Sequence, residues 1–486
     1  MIATVSQMQN AEERLFATGV EAEPLMDRAG LGIAEAIVER LAGSTPGALR
    51  AFVGPGHNGG DALVAARHLA ARGWEVELRL VGRERFRPLT EKKLAELGGP
   101  RATASREPMV LLDGLLGIGA RGPLHGDIAE AAAEMNALRV EKFAHTVAID
   151  LPSGLDGDSG EPCAGAVVAD LTLVIARAKA GLVADAAIDH VGRLGLVPLD
   201  EIELADGDAG AELLEPRQLA KLLPRRPFDT HKGQTGRVAI GAGSRGLTGA
   251  AVLSSAAAVR GGAGLVTLFV PDELYPVLAA TTISEVMVRP WRNVGEVATA
   301  NFDVLAIGPG LGTAGAEEML SLVEEDPRPC VVDADALNQI AEQGVDLLAR
   351  CPGPRLLTPH PGEMERLFPR QGRSRREWAE AFAQRFPNCT LLLKGARTII
   401  KEEGQPAAFN PTGHPGMATG GLGDVLTGLS AALIGQGQST YEAGCGASWL
   451  TGRAAELALS QQSEESFAAS DAIAQLGGAF RSLRLS

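Results

Sequence analysis

The chain has 486 residues and a net charge of −15, with 45% hydrophobic and 22% charged residues. A single hydrophobic core stops growing at about 250–300 residues, so two domains are expected, and this composition excludes a disordered chain. The acidity argues against a general nucleic-acid or anionic-membrane binder and requires any phosphate ligand to be held by local geometry.

Glu12, Glu13 and Arg14 interrupt the N-terminus before a basic and apolar leader can form, and no 18-residue run reaches membrane hydropathy. The five cysteines are isolated and odd in number, which argues against a disulfide framework or a thiolate zinc site. A soluble, cytoplasmic protein is expected.

In chain order, residues 7–18 and 25–41 read as helices, the second with Leu25, Ala29, Ile33, Ile37 and Leu41 on one stripe. Strands are predicted at 51–53, 76–81, 110–112, 147–149 and 171–175, with a helix over 63–71. This strand–helix alternation predicts a parallel, doubly wound α/β domain. Residues 206–211 are rich in Asp and Gly and read as a linker, dividing the chain into domains 1–208 and 212–486. The rhythm then restarts with strands at 237–240, 264–270, 304–307, 330–332, 356–357 and 391–393 and a helix at 249–260, predicting a second doubly wound domain.

Two segments match G-x-G-x-x-G between a strand and a helix: Gly54-Pro55-Gly56-His57-Asn58-Gly59 and Gly241-Ala242-Gly243-Ser244-Arg245-Gly246. Such turns are common in any α/β fold. In the first, His57, Asn58 and Asp61, around Gly59 and Gly60, put polar side chains where a dinucleotide turn wants small ones, which weakens a dehydrogenase reading. No lysine is followed by Ser or Thr, so there is no Walker A motif. Two further loops, after 110–112 and 147–149, carry Asp113 and Asp150-Leu151-Pro152-Ser153. Carboxyl ends of parallel strands share one edge, which brings Asn58, Asp113 and Ser153 within reach of one point. Amide, carboxylate and hydroxyl oxygens suit a hard cation, while helix capping by Asp113 and Ser153 is the alternative.

In the second domain Gly420, Gly421 and Gly423 precede an apolar helix containing Val425, Leu426, Leu429 and Leu433. Free amides at such an N-terminus form an anion hole, and Asp424 at its mouth can take a proton from an attacking hydroxyl. Relief of the helix dipole is the alternative role for Asp424. Lys394-Gly395-Ala396-Arg397-Thr398 reads as a nucleotide grip or a solvated turn. His360, in Thr358-Pro359-His360-Pro361-Gly362-Glu363, reads as a ligand contact. Asp333 and Asp335 fit either helix capping or a site.

Residues 54–61, the Asp113 loop and 149–156 resemble the NAD(P)H-hydrate epimerase domain. His231-Lys232-Gly233, residues 243–251, Gly308-Pro309-Gly310-Leu311-Gly312, residues 358–363 and residues 420–424 resemble the ADP-dependent NAD(P)H-hydrate dehydratase domain, which is ribokinase-like. In this order, over about residues 5–480, they resemble the bifunctional bacterial nicotinamide-nucleotide repair family. The resemblance implies a Rossmann-like first domain that interconverts R and S hydrates of the reduced cofactors (NADHX and NADPHX). It implies a second domain that phosphorylates the S hydroxyl with ADP and then expels phosphate.

Carried over by position, the resemblance implies potassium at Asn58, Asp113 and Ser153. The hydrated nucleotide would touch His57, Asn58, Gly59, Gly60, Asp61, the run Gly117, Ile118, Gly119, Ala120, Arg121, Gly122, Pro123, and Asp150, the candidate acid/base. Gly310, Gly312, His360 and Asp424 would contact substrate in the second domain. Lys394, Gly395, Ala396, Arg397 and Thr398, with Gly420, Gly421 and Gly423, would hold ADP with magnesium. A homo-oligomer acting on small molecules, with no nucleic-acid or membrane partner, is implied. Departures from the family pattern are His57 for Asn, Ala62 for Gly, His414 for Asn and Leu422 for Thr. Two competing readings stand beside this one. The first is a ribokinase-like kinase without elimination, and the second is a ligand-sensing or RNA-associated module, against which the −15 charge speaks.

Overall fold

The computed structural model describes residues 1–42, 47–98, 110–205 and 210–485. They form two compact units, Met1–Ala211 and Glu212–Ser486. Residues 206–209 of the segment read as a linker lie outside the described residues.

The first unit opens with β1 (Ile2–Ala3), α1 (Val5–Ala17) and α2 (Ala22–Ile37). There follow β2 (Ala48–Val53), α3 (His57–Ala71), β3 (Glu75–Leu80), α4 (Pro88–Leu97), β4 (Val110–Gly114), α5 (Gly126–Glu141) and β5 (His145–Ile149). It closes with β6 (Leu171–Ile175), β7 (Ala178–Lys179), α6 (Ile188–Val191) and β8 (Arg193–Val197). Six strands make one parallel sheet in the order β3-β2-β4-β5-β6-β8, while β1 pairs with β7 apart from it. Side chains alternate across the pleat. Ala51, Val53 and Leu112 pack with Ile33 of α2 and Leu63 of α3, whereas Phe52 and Leu111 pack with Ile128 and Met135 of α5. Burying each large apolar side chain stabilises the fold by about 1.5–3 kcal/mol.

Most boundaries shift by a few residues from the sequence reading, and three of the shifts have a clear physical reason or consequence. β2 begins at Ala48 because Arg50, which breaks the apolar run, is paired with Glu77 and Glu134 at 3.0 and 3.2 Å. The helix expected through Leu41 is α-helical only to Ile37 and continues as a π turn over Val38–Ala42. Most important for the site, α3 starts at His57 rather than Leu63, so the polar run 57–61 is helix and not loop. At the end of β2 a Cβ on Gly54 would stand 1.9 Å from the Leu115 carbonyl oxygen, so only a glycine lets the segment after β4 pass this close to the start of α3.

The second unit begins with β9 (Ala211–Leu213), α7 (Pro216–Lys221), β10 (Arg237–Gly241), α8 (Thr248–Arg260), β11 (Leu265–Pro271), α9 (Tyr275–Thr281) and β12 (Val286–Trp291). It continues through α10 (Val294–Ala298), β13 (Val304–Ile307), α11 (Gly312–Glu325), β14 (Cys330–Val332), α12 (Ala334–Gln343) and β15 (Arg355–Leu357). Then come α13 (Pro361–Leu367), α14 (Arg375–Arg385), β16 (Cys389–Leu393), β17 (Ile399–Lys401) and β18 (Ala407–Phe409). The last helices are α15 (Leu422–Gly435), α16 (Thr440–Leu459) and α17 (Ala469–Leu485). The sheet order is β12-β11-β10-β13-β14-β15-β16-β17-β18-β9, parallel from β12 to β16 and antiparallel at β16–β17 and β17–β18. β12 escaped the sequence reading because it is an edge strand carrying Arg289 and Pro290, and Pro in a sheet belongs at edges.

Val425, Leu429 and Leu433 of α15 join the sheet residues Val304, Ala306 and Val331 in one core. α15 also lies against α8, where a Cβ on Gly428 would fall 1.9 Å from the Ser254 carbonyl oxygen. Gly428→Ala must therefore push the two helices apart, and overpacking of this kind costs about 1–3 kcal/mol. Its denaturation midpoint should fall. Gly477→Ala, on α17 with nothing within 4 Å of the added atom, should hold or raise the midpoint, since Ala is the better helix former. Equal midpoints for the two variants would contradict this packing.

Candidate functional site

In the first unit the carboxyl ends of β2, β4, β5 and β6 surround a cavity of about 580 Å³. Asn58 and Asp61, three residues apart, share one face of α3 and both line it, as does His57. Gly59 and Gly60 are buried packing positions: a Cβ on Gly59 would meet the Gly54 carbonyl oxygen at 2.0 Å. The segment after β4 is divided. Gly117, Ile118, Gly119 and Ala120 line this cavity, while Arg121, Gly122 and Pro123 line a second, of about 390 Å³, which Leu116, Gly117 and Ala120 share.

Asn58, Asp113 and Ser153 meet around the Leu116 peptide. The Asn58 amide donates to the carbonyls of Leu116 (2.9 Å) and Ile149 (2.8 Å). The Leu116 N–H donates to Ser153 Oγ at 3.0 Å, and Ser153 Oγ donates to Asp113 Oδ1 at 2.7 Å. Asp113 also accepts from the amides of Ser153 (2.7 Å) and Leu115 (3.2 Å). It caps no helix, because the next one, α5, has His125 as its N-cap. Burial pushes the Asp113 carboxyl up to about 6 against these hydrogen bonds, and among the described residues no basic side chain pairs with it.

Asp150 follows β5 with φ at 67°, a left-handed backbone that costs a non-glycine residue about 1–3 kcal/mol and recurs at functional sites. The turn aims its carboxylate into the sheet edge, where it accepts from the Ile175 amide at 3.0 Å and from the fully buried ammonium of Lys179. Lys179 also donates to the Ile175 carbonyl at 3.1 Å. Asp61 lies in the same cavity, 6% exposed. Burial first, then the charges of Asp150 and Glu12, pushes its carboxyl well above the ordinary range. Burial likewise raises Glu12 of α1, against the pull of Lys179. Burial and then Arg87 push His57 down, and its Nε2 lies 3.2 Å from Arg87 Nη1. Sequence reasoning missed Lys179, Glu12 and Arg87. The one available cue was Glu12, one turn after buried Met8 on α1.

In the second unit α15 starts at Leu422 with Gly421 as N-cap at φ 94° and no side chain capping it, so its first amides point outward unpaired. Asp424 stands in this first turn. Burial, then Asp333, pushes its carboxyl up to about 7 against the pull of Lys394. Lys394 Nζ lies 2.8 Å from Asp333 Oδ1 and 3.9 Å from Glu363 Oε2, and Thr427 donates to Asp333 Oδ2 at 2.9 Å. A Cβ on Gly423 would touch both Lys394 Nζ (3.4 Å) and Asp333 Oδ2 (3.5 Å), so the glycine brings helix and ion pair together. Asp333 belongs to the site, not to a cap, since its side chain makes no capping bond to α12.

The other residues singled out divide between site and scaffold. Gly310 and Gly312, at φ 59° and 66°, carry β13 into α11, and Asp335 accepts from the Gly312 amide at 2.8 Å. His360 caps α13: its Nδ1 accepts from the Gly362 and Glu363 amides at 3.0 and 3.3 Å, leaving the ring 53% exposed. In the turn after β16, Gly395 and Ala396 are exposed and Thr398 donates to the Gly395 carbonyl at 3.1 Å. Arg397, however, is only 4% exposed and is pushed down to about 10 by burial and Arg375. Gly420 is exposed beside Gly421. Among the described residues no three His, Cys, Asp or Glu side chains form a metal cage, and no helix is long and apolar enough to cross a membrane.

Residues 22–181 match the family model described as YjeF-related protein N-terminus, and residues 238–476 match the one described as NAD(P)H-hydrate dehydratase. The bifunctional NAD(P)H-hydrate repair enzyme of Gloeobacter violaceus is 38% identical over 479 residues, covering 93% of this chain and 92% of that one. The enzyme of the same name from Moorella thermoacetica is 36% identical over 498 residues, covering 94% and 92%. A ribokinase-like superfamily protein of Enterococcus faecalis superimposes with a TM-score of 0.51 at 26% identity, over 57% of this chain and 98% of that one.

The raised Asp424 carboxyl has a consequence for stability. A carboxyl whose folded pKa lies above its ordinary 3.8 favours the fold when protonated, and that advantage is lost as pH rises through about 7. Asp424→Asn should match the native melting temperature near pH 4 and exceed it at pH 8. A gap that does not change between these pH values would contradict the arrangement.

Proposed function

The chain belongs to the family of bifunctional NAD(P)H-hydrate repair enzymes, and on that premise we propose how its two sites divide one repair. The first unit interconverts the R and S hydrates of NADH and NADPH, and the second converts the S hydrate back to the reduced cofactor at the expense of ADP. The observation that carries the reading is Asp424 at the mouth of an uncapped, glycine-flanked helix, facing the Lys394–Asp333 pair.

At that mouth Asp424 takes the proton of the C6 hydroxyl as its oxygen attacks the terminal phosphorus of ADP. The amides at Gly420, Gly421 and Gly423 and the Lys394 ammonium face the charge that develops on the phosphoryl oxygens. Phosphate is a far better leaving group than hydroxide. The ring nitrogen lone pair then expels it, and loss of a C5 proton restores the dihydronicotinamide. Gly310, Gly312 and the exposed edge of His360 border the substrate, and the 394–398 turn borders the adenine nucleotide, with Lys394 rather than buried Arg397 as its cation. Asp333 and Glu363 offer the hard oxygens that magnesium on ADP would take, and such an ion would neutralise phosphate charge.

In the first unit Asp113 supports a potassium site: it is a buried carboxylate with no basic partner among the described residues, beside the oxygens of Ser153 and Asn58. A monovalent cation would supply the missing positive charge there. His57, Asn58, Asp61, the 117–123 segment and Asp150 form the walls for the hydrated nucleotide, with Asp150 serving as acid/base. A cytoplasmic location and assembly of several copies accord with this reading.

Asp424→Asn keeps the shape and deletes the base, so ADP-dependent recovery of absorbance at 340 nm should fall by about 10²–10⁴-fold while R-to-S interconversion proceeds. Near-native recovery would remove Asp424 from the role. Asp113→Ala, and replacement of potassium by a bulky organic cation, should each slow epimerisation. Epimerisation unchanged by both would remove the cation site.

A further inference from the structure

Asp61 is 6% exposed, lines the larger cavity of the first unit, and makes no hydrogen bond or ion pair with any described residue. A buried polar group without a partner is rare in folded proteins, and one that faces a cavity calls for a partner from the ligand. Asp150 lines the same cavity and is its opposite. It is bonded to the Lys179 ammonium and the Ile175 amide, and is fixed by a left-handed backbone. Lys179 is the lysine of this cavity; its direct ion pair is with Asp150, while Glu12 feels its charge without a bond. Of the carboxyl groups lining this cavity, Asp150 is paired with a cation and Asp61 with nothing, the kind of contrast in environment that sets a base apart from an acid.

We propose that Asp61 is the general acid and Asp150 the general base of C6 epimerisation, with Lys179 the positioning residue that holds the Asp150 carboxylate. The proposal rests on the reading of the first unit as an epimerase. Asp61 gives its proton to the C6 hydroxyl oxygen, the C6–O bond breaks, and water leaves. The N1 lone pair forms an N1=C6 double bond, and the resulting cation faces the carboxylate of Asp150. Water then adds to the other face of C6, the N1=C6 electron pair returns to nitrogen, and the proton released by that water goes to Asp150. Transfer of this proton from Asp150 to Asp61 through cavity water restores the starting state, so nothing is consumed and no oxidant is needed. The raised carboxyl of Asp61, due to burial and then to Asp150 and Glu12, agrees with the acid role.

The charged groups facing this pair are Glu12 from α1, His57 from α3, Arg85 and Arg87 from the segment before α4, and Lys179 from β7. The test follows interconversion of purified R hydrate by the full chain in potassium buffer from pH 5 to 9, with ADP-dependent dehydration of S hydrate measured on the same samples. The native protein should give a bell-shaped profile. Asp61→Asn should lower kcat by about 10²–10⁴-fold and abolish the alkaline limb, leaving dehydration at its native rate. Lys179→Met should move the acid limb to higher pH, and Lys179→Arg should move it back. Asp61→Asn with a native kcat, or with its alkaline limb intact, overturns the acid assignment. An acid limb that stays in place in Lys179→Met overturns the positioning role. Absence of R-to-S interconversion in the native protein would instead overturn the epimerase reading itself, so the two failures are distinguishable.

Discussion

At the carboxyl edge of its parallel sheet each unit sets a lysine ammonium against a buried aspartate, and the rest of each site is arranged around that pair. In the first unit it is Lys179 with Asp150, in the second Lys394 with Asp333. A buried ion pair adds little net stability, but removing one partner leaves an uncompensated charge that is costly. Such pairs are therefore fixed points. Around Lys179 stand Glu12 and Asp61 as carboxyls pushed upward by burial, and beside Asp333 stands Asp424, pushed up in the same way. A carboxyl raised by burial beside a fixed charge is suited to moving protons.

Glycine is what allows backbone to come this close. Gly54 lets the Leu115 segment lie against the end of β2, beside the first turns of α3 that carry Asn58 and Asp61 into the cavity. Gly117, whose Cβ would lie 2.5 Å from Asn58 Oδ1, lets the next loop close over Asn58. Gly423 does the equivalent at the second site, admitting Lys394 and Asp333 to the first turn of α15. In both units the reactive groups come from strand ends and helix starts on a rigid sheet, so the sheet order sets which residues can meet.

What could be read from the sequence follows from locality. The apolar run Ala51, Phe52 and Val53, the glycines before Val425, and the Asn58, Asp113 and Ser153 cluster all declare themselves within a few residues or through the rule that parallel strand ends share an edge. Lys179 could not be seen this way. It sits on a two-residue strand that exists only because β1, some 175 residues earlier, pairs with it. No local period marks it. Arg397 misled for the converse reason: in the tight reversal from β16 to β17 it turns inward beside Arg375, while Gly395 and Ala396 take the exposed positions. Glu363 and His360 were read in one motif, but the ring caps its own helix and the carboxylate faces Lys394.

The central claim is that two separate ion pairs serve two successive steps on one substrate. The amplitude of ADP-dependent 340 nm recovery from an equilibrated mixture of R and S hydrates tests it most directly. The native chain should recover the whole mixture. Lys179→Met should recover the S fraction at the native rate and the remainder only slowly, and Lys394→Met should recover neither fraction. A Lys179→Met protein that recovers the whole mixture at the native rate, or a Lys394→Met protein that recovers the S fraction at the native rate, would contradict the account.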